Sequence, residues 1–269
     1  MGMSLPFVVA AAFLLARQKD GSLLALMDLP QLMEKLPNLM VASLVASVTA
    51  TVCVALISFV IAKEPVRPAV LAPSRLKPAA LTTAGLYFFT VGYGAVATWL
   101  AVLVGKFEGS SLDAFERLCL SVGPAGFVVL VVAGSVMPGF GEELAFRGFM
   151  QPRLVGRFGP GLGILFTSVL FGFLHMDLMQ GLFAVGMGAM AGWVTWRAGT
   201  LWPAMVAHAA NNATSFILTR ASGPTPPAPP STQEVVTYVG ALVVGAAILA
   251  WQSAKTPEPA PEREPEPGR

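Results

Sequence analysis

The sequence predicts an all-α protein, a polytopic transmembrane bundle of about seven or eight helices with a buried polar cavity, and three observations carry that reading. Hydrophobic residues fill 55% of the 269 positions and charged residues only 12%, whereas about a quarter of the residues of a soluble domain are charged. Five stretches, 36–62, 78–105, 118–141, 178–196 and 198–219, contain no Lys, Arg, Asp or Glu, and each approaches or exceeds the roughly 20 residues that a helical span needs. Open strand edges do not persist in hydrocarbon, so the spans are helices.

Taken in chain order, residues 1–38 read as an interfacial or extra membrane segment. Leu5–Ala16 is apolar but short for a span, is followed by Arg17 and Lys19, and lacks the basic leader and small-residue cleavage site of a signal peptide. N-terminal transmembrane helices occupy 39–117, with spans near 39–62 and 79–104. Between them Lys63, Arg67, Arg75 and Lys77 alternate with Pro65, Pro68, Pro73 and Pro78, a basic loop in which proline stops helix continuation. A core over 118–219 holds spans near 118–139, 160–176, 178–196 and 200–219. A Pro-rich linker at 220–234, a last helix at 235–252 and a Pro/Glu tail at 253–269, expected to be disordered, complete the chain. Loop 63–78, segment 142–157, Arg197 and the tail together hold eleven Lys and Arg against six on the alternate side, which makes the tail cytoplasmic.

A net charge of +2 without a basic, aromatic-interleaved stripe argues against a nucleic-acid partner. Cys53 and Cys119 lack a CxxC spacing or a nearby histidine and read as small packing residues.

Ionisable groups at membrane depth cost several kcal/mol unless paired or hydrated, so each is a functional candidate. Three groups stand out. In Gly141-Glu142-Glu143-Leu144-Ala145-Phe146-Arg147, Glu143 and Arg147 are four apart and can pair on one helix face, leaving Glu142 free about 100° round. In Phe171-Gly172-Phe173-Leu174-His175, Phe171 and His175 share a face and Gly172 permits close approach of a neighbour. In His208-Ala209-Ala210-Asn211-Asn212, His208 and Asn212 sit one turn apart and point the same way.

A carboxylate, two imidazoles and an amide drawn from apolar segments leave costly unpaired groups unless they converge. Once together they can hydrolyse an amide without a protein nucleophile: Glu142 as general base toward water, His175 orienting that water, His208 and Asn212 stabilising an oxyanion. HExxH, GxSG and GxSxG are absent, and Asp177 alone cannot form an aspartyl dyad. Glu142, His175 and His208 could also hold zinc, since three N/O ligands plus water is a common catalytic arrangement. Metal-assisted and glutamate-base hydrolysis both stay open at this point.

The order EExxxR, FxxxH, HxxxN resembles the CAAX-protease and bacteriocin-processing family of intramembrane endopeptidases, which includes the type II CAAX prenyl endopeptidases, over roughly 118–219. The resemblance implies that Glu142 and His175 activate water, that His208 and Asn212 form the oxyanion site, and that Glu143 and Arg147 support them. It implies a peptide or protein substrate near the membrane, in eukaryotic members a prenylated C-terminal tail and in prokaryotic members a bacteriocin, immunity or sorting substrate. The composition, poor in Lys and rich in Ala, Gly and Pro, points to a bacterial inner membrane. Two other readings compete: a catalytically silent membrane scaffold or immunity protein, and a proton- or cation-coupled transporter, which would spread its polar residues along a path.

Overall fold

A computed structural model describes residues 49, 52–53, 56–63, 72–108, 110–175, 177–223 and 229–258. Among them every regular element is helical. We number the helices α1 (Ala79–Leu103), α2 (Ser111–Ser121), α3 (Pro124–Glu143), α4 (Gln151–Phe173), α5 (Leu178–Ala198), α6 (Trp202–Ser222) and α7 (Thr232–Ala254), with a π-helical segment, Leu144–Met150, joining α3 to α4. The segment 1–38 lies outside the described residues, as does most of the span expected at 39–62. Of that span, 56–62 is helical and Phe59 packs against Leu144, Leu201 and Met205.

Local sequence sets most of the boundaries. Proline opens α3 and α6 in the first turn, where its missing N–H costs nothing. Asp177 caps α5 by accepting from Gln180 N at 2.8 Å, and Ser231 with Glu234 forms a capping box on α7. The span expected at 118–139 is divided: Leu118–Ser121 ends the short amphipathic α2, and Gly123-Pro124 starts α3 afresh. Buried Cys119 belongs to α2, where burial pushes its thiol up to about 12; it is a packing residue, with no thiolate at neutral pH.

Among the described residues, four helical stretches are long and apolar enough to cross a membrane: Ala79–Leu103, Pro124–Phe173, Leu178–Ala198 and Thr232–Ala254. The helix α6, expected to span at 200–219, is not among them, because His208, Asn211 and Asn212 lower its hydropathy. Within Pro124–Phe173 the chain turns at Gly159, whose φ of 77° and ψ of 168° suit glycine alone. After the turn Gly163 lies against the backbone of Leu154 and Val155. The surface is inverted relative to a soluble fold, with Val128, Val132, Leu165, Val169, Val236 and Val243 exposed. The protein is an integral, multi-pass membrane bundle.

Three antiparallel pairs organise it. The helices α1 and α7 pack along their length, tied at one end by Thr82 Oγ1 donating to Gln252 Oε1 at 3.0 Å. The hairpin α4–α5 meets at Gly172 and Gly181. The pair α3–α6 meets at Gly139, where an added Cβ would come within 2.8 Å of Ala209 N. Three arginines then close exposed helix ends. Arg75 donates to the carbonyls of Trp196 and Arg197 at the end of α5, Arg197 to those of Ser253 and Thr256 at the end of α7, and Arg220 to those of Cys119, Leu120 and Val122 at the end of α2.

Gly139→Val should force α3 and α6 apart, because the clash is with backbone and cannot be relieved by a rotamer change. We expect a loss of about 1–3 kcal/mol or more, seen as a lower thermal unfolding midpoint in detergent; an unchanged midpoint would contradict the packing described.

Candidate active site

At the end of α3 two consecutive glutamates meet different surroundings. Glu143 is 1% exposed. Its Oε1 accepts from Arg147 Nη1 at 3.2 Å and from His208 Nδ1 at 2.9 Å, so one carboxylate oxygen joins α3, the π segment and α6. The Arg147 guanidinium lies with its central carbon 4.3 Å from the centroid of the Phe171 ring and fills the space beside Gly188 of α5, a stacked cationic packing suited to a planar group. Glu142, half-buried and about 100° round the helix, has no hydrogen bond or ion pair among the described residues. It lies near enough for its charge to act on His208.

His175 follows α4 directly. Its Nδ1–H donates to the Phe171 carbonyl at 2.9 Å, satisfying an orphan acceptor of the helix end and leaving Nε2 uncommitted. The Phe171 ring gathers the constellation: its centroid lies 4.9 Å from that of His175, 6.3 Å from that of His208 and 5.0 Å from that of Phe146, all roughly edge to face. Phe171 thus touches both histidine rings and the Arg147 guanidinium, three of the residues singled out in the sequence.

Asn212 is positioned by a proline on another helix. Pro138 lies inside α3 and has no N–H to donate to the carbonyl four residues back, that of Gly134. Asn212 Nδ2 donates to that same oxygen at 3.2 Å, which leaves its second N–H free. Asn211 adds a 3.5 Å contact to Asn212 Oδ1. Neither Pro138 nor Gly134 was singled out from the sequence. The available signal was a proline inside an apolar span, which exposes a carbonyl four residues upstream to any donor on a neighbouring helix.

A cavity of about 20 Å³ lies within the bundle beside Glu143, Arg147, His208 and Thr90. On the outer surface a shallow groove of about 440 Å³ runs between α1 and α6, lined by Ala84, Tyr87, Ala207 and Ala210 among others. Glu142, His175 and His208, the possible zinc ligands, are not gathered as a set: among the described residues no three His, Cys, Asp or Glu side chains come together closely enough to hold a metal ion. His175 Nδ1 and His208 Nδ1 bond a carbonyl and a carboxylate, which orients each ring and leaves its Nε2 unengaged among the described residues; it is the separation of the three side chains that tells against a shared ion. As arranged, Glu142, His175 and His208 do not fit a three-ligand zinc site.

Residues 124–214, from the start of α3 to the second half of α6, match the family model described as Type II CAAX prenyl endopeptidase Rce1-like. The matched stretch contains Glu142, Glu143, Arg147, His175, His208 and Asn212 and agrees with the resemblance carried by their motifs. No curated protein and no solved structure matches the chain.

Pro138→Ala should return the Gly134 carbonyl to an intrahelical bond and so deprive Asn212 of its anchor. The helix itself should become more stable, since an interior proline costs about 3 kcal/mol. We expect a higher unfolding midpoint together with slower peptide cleavage; activity unchanged in a stabilised variant would show that the anchor is dispensable.

Proposed function

From an Rce1-like core with this geometry, we propose that the protein is an intramembrane endopeptidase that uses Glu142 to activate water. The observation that carries the reading is the contrast between the adjacent glutamates: Glu143 is held by Arg147 and His208, while the Glu142 carboxylate is unengaged among the described residues and can take a proton. His175 supports it, because the bond from Nδ1 to the Phe171 carbonyl keeps Nε2 available as an acceptor toward the same water.

Glu142 removes a proton from the water as its oxygen attacks the peptide carbonyl carbon. The carbonyl π electrons move onto oxygen, and Asn212 donates to that oxyanion through its free N–H. His208 can add a second donor at Nε2 only as imidazolium, since Nδ1–H is engaged by Glu143. In that form the cluster balances, with Glu142 and Glu143 negative and Arg147 and His208 positive, as buried charges require. Collapse of the tetrahedral intermediate breaks the C–N bond, and the proton held by Glu142 passes to the departing amine.

The substrate is a membrane-proximal or C-terminal segment of a peptide or protein. Such a segment can approach from the lipid along the groove between α1 and α6, which runs past Ala207 and Ala210 on either side of His208 in sequence. In a bacterial inner membrane, the location the composition suggests, the cleavage would serve peptide maturation or protein sorting.

Glu142→Gln should lower cleavage of such a peptide by roughly 10²–10⁴-fold, the usual contribution of a general base, while the purified variant keeps the wild-type unfolding midpoint. Near wild-type cleavage by this variant would sink the mechanism. Chelation provides a separate check on the donor set. Purified protein dialysed against EDTA should cleave at an undiminished rate; loss of activity restored by zinc would overturn the glutamate-base reading.

A further inference from the structure

The small cavity beside Glu143 has a polarity that the proposed reaction does not use. Glu143 Oε2 and Arg147 Nε are both buried and have no hydrogen-bond partner among the described residues, on side chains that are 1% and 2% exposed. Leaving a charged group's atoms unpaired in such a place is costly. Both residues line the cavity of about 20 Å³, and a space that holds one water begins at roughly 10–15 Å³ provided two to four polar partners surround it. Two further polar residues line it: His208, engaged through Nδ1 with Glu143 Oε1, and Thr90 of α1, 3% exposed and outside the stretch that matches the family model. Thr90 is the one that offers the cavity a new acceptor. Thr90 Oγ1–H already donates to the Tyr87 carbonyl at 3.0 Å, so toward the cavity the oxygen can only accept.

We propose that a single ordered water occupies this cavity, donating to Glu143 Oε2 and Thr90 Oγ1 and accepting from Arg147 Nε. One molecule matches these three atoms: two donors for two acceptors and one acceptor for one donor. Apart from His208, the remaining lining, including Leu86, Phe171, Met187 and Ala191, is apolar and confines it. The volume leaves no room for a peptide bond, so this water is not the attacking one. It fixes the second oxygen of the carboxylate whose first oxygen holds His208, and through it Thr90 becomes a positioning residue for His208. The role in catalysis rests on the endopeptidase reading; the water itself does not.

The test uses the full chain in detergent or nanodisc, as wild type, Thr90→Val and Thr90→Ser. A map at water-resolving resolution should show one peak within hydrogen-bond distance of Glu143 Oε2 and Arg147 Nε in the wild type and in the serine variant, and none or a displaced one in the near-isosteric valine variant. In cleavage assays the valine variant should lose about three- to tenfold in kcat, the scale of one hydrogen bond, with KM unchanged and with recovery in the serine variant. An empty cavity in the wild-type map overturns the proposal, as does a valine variant that keeps both the peak and the wild-type kcat. If no peptide is cleaved by any variant, the endopeptidase reading fails while the map still decides the water.

Discussion

A carboxylate without access to bulk solvent dictates much of the arrangement around it. Glu143 is buried beneath α6 and can remain charged only if cations reach it, and they come from two directions, Arg147 one turn further along its own helix and His208 from α6. Removing either would leave an uncompensated charge, a situation that commonly costs several kcal/mol. The demand propagates outward. Arg147 needs a flat apolar bed, which Phe171 of α4 supplies, and space for its head group, which Gly188 of α5 supplies. Four elements are therefore held in register by one oxygen and its partners, and the hydrophobic contacts around them have little freedom to slide.

The same constraint separates two identical side chains. Glu142 and Glu143 differ by about 100° of helical phase, and that rotation carries one into the ion-pair network and leaves the other half-buried and unengaged. Chemistry at a membrane site needs both conditions at once, a fixed electrostatic frame and a group still free to exchange a proton. Adjacent positions on one helix set the two glutamates apart, and His208 from α6 completes the frame.

Much of this was legible in the sequence, for definite reasons. Charge-free stretches reveal helices in lipid because the solvent leaves no alternative, and the spacing of Glu143 and Arg147 predicts their pairing because four residues is one helical turn. What the sequence did not disclose depends on long-range contact. His208 is 65 residues from Glu143, so only the packing of α3 against α6 reveals the bond between them. The π-helical turn after Glu143, a form often found at functional sites, has no compositional signature. The break before Pro124 was missed because apolar residues run through it, although Gly123-Pro124 marks it in retrospect. Thr90 gave no signal, being one of several hydroxyl residues in an apolar span, most of which simply bond their own helix. The helix expected at 200–219 is present as α6, and it falls short of the hydropathy of the other spans for a physical reason: it carries the polar chemistry.

The arginines at the helix ends bear on how the chain is made. Arg197 donates to the carbonyls of Ser253 and Thr256, residues synthesised more than fifty positions later. It therefore emerges from the ribosome without its acceptors, and so does Arg75, whose acceptors lie at Trp196 and Arg197. Each guanidinium must stay hydrated at the membrane surface until the later helix has been inserted. The bundle is latched in the order of translation, Arg75 by the arrival of α5 and Arg197 by that of α7, so a chain terminated before α7 leaves the second latch open and presents a cation at the surface where quality control can recognise it.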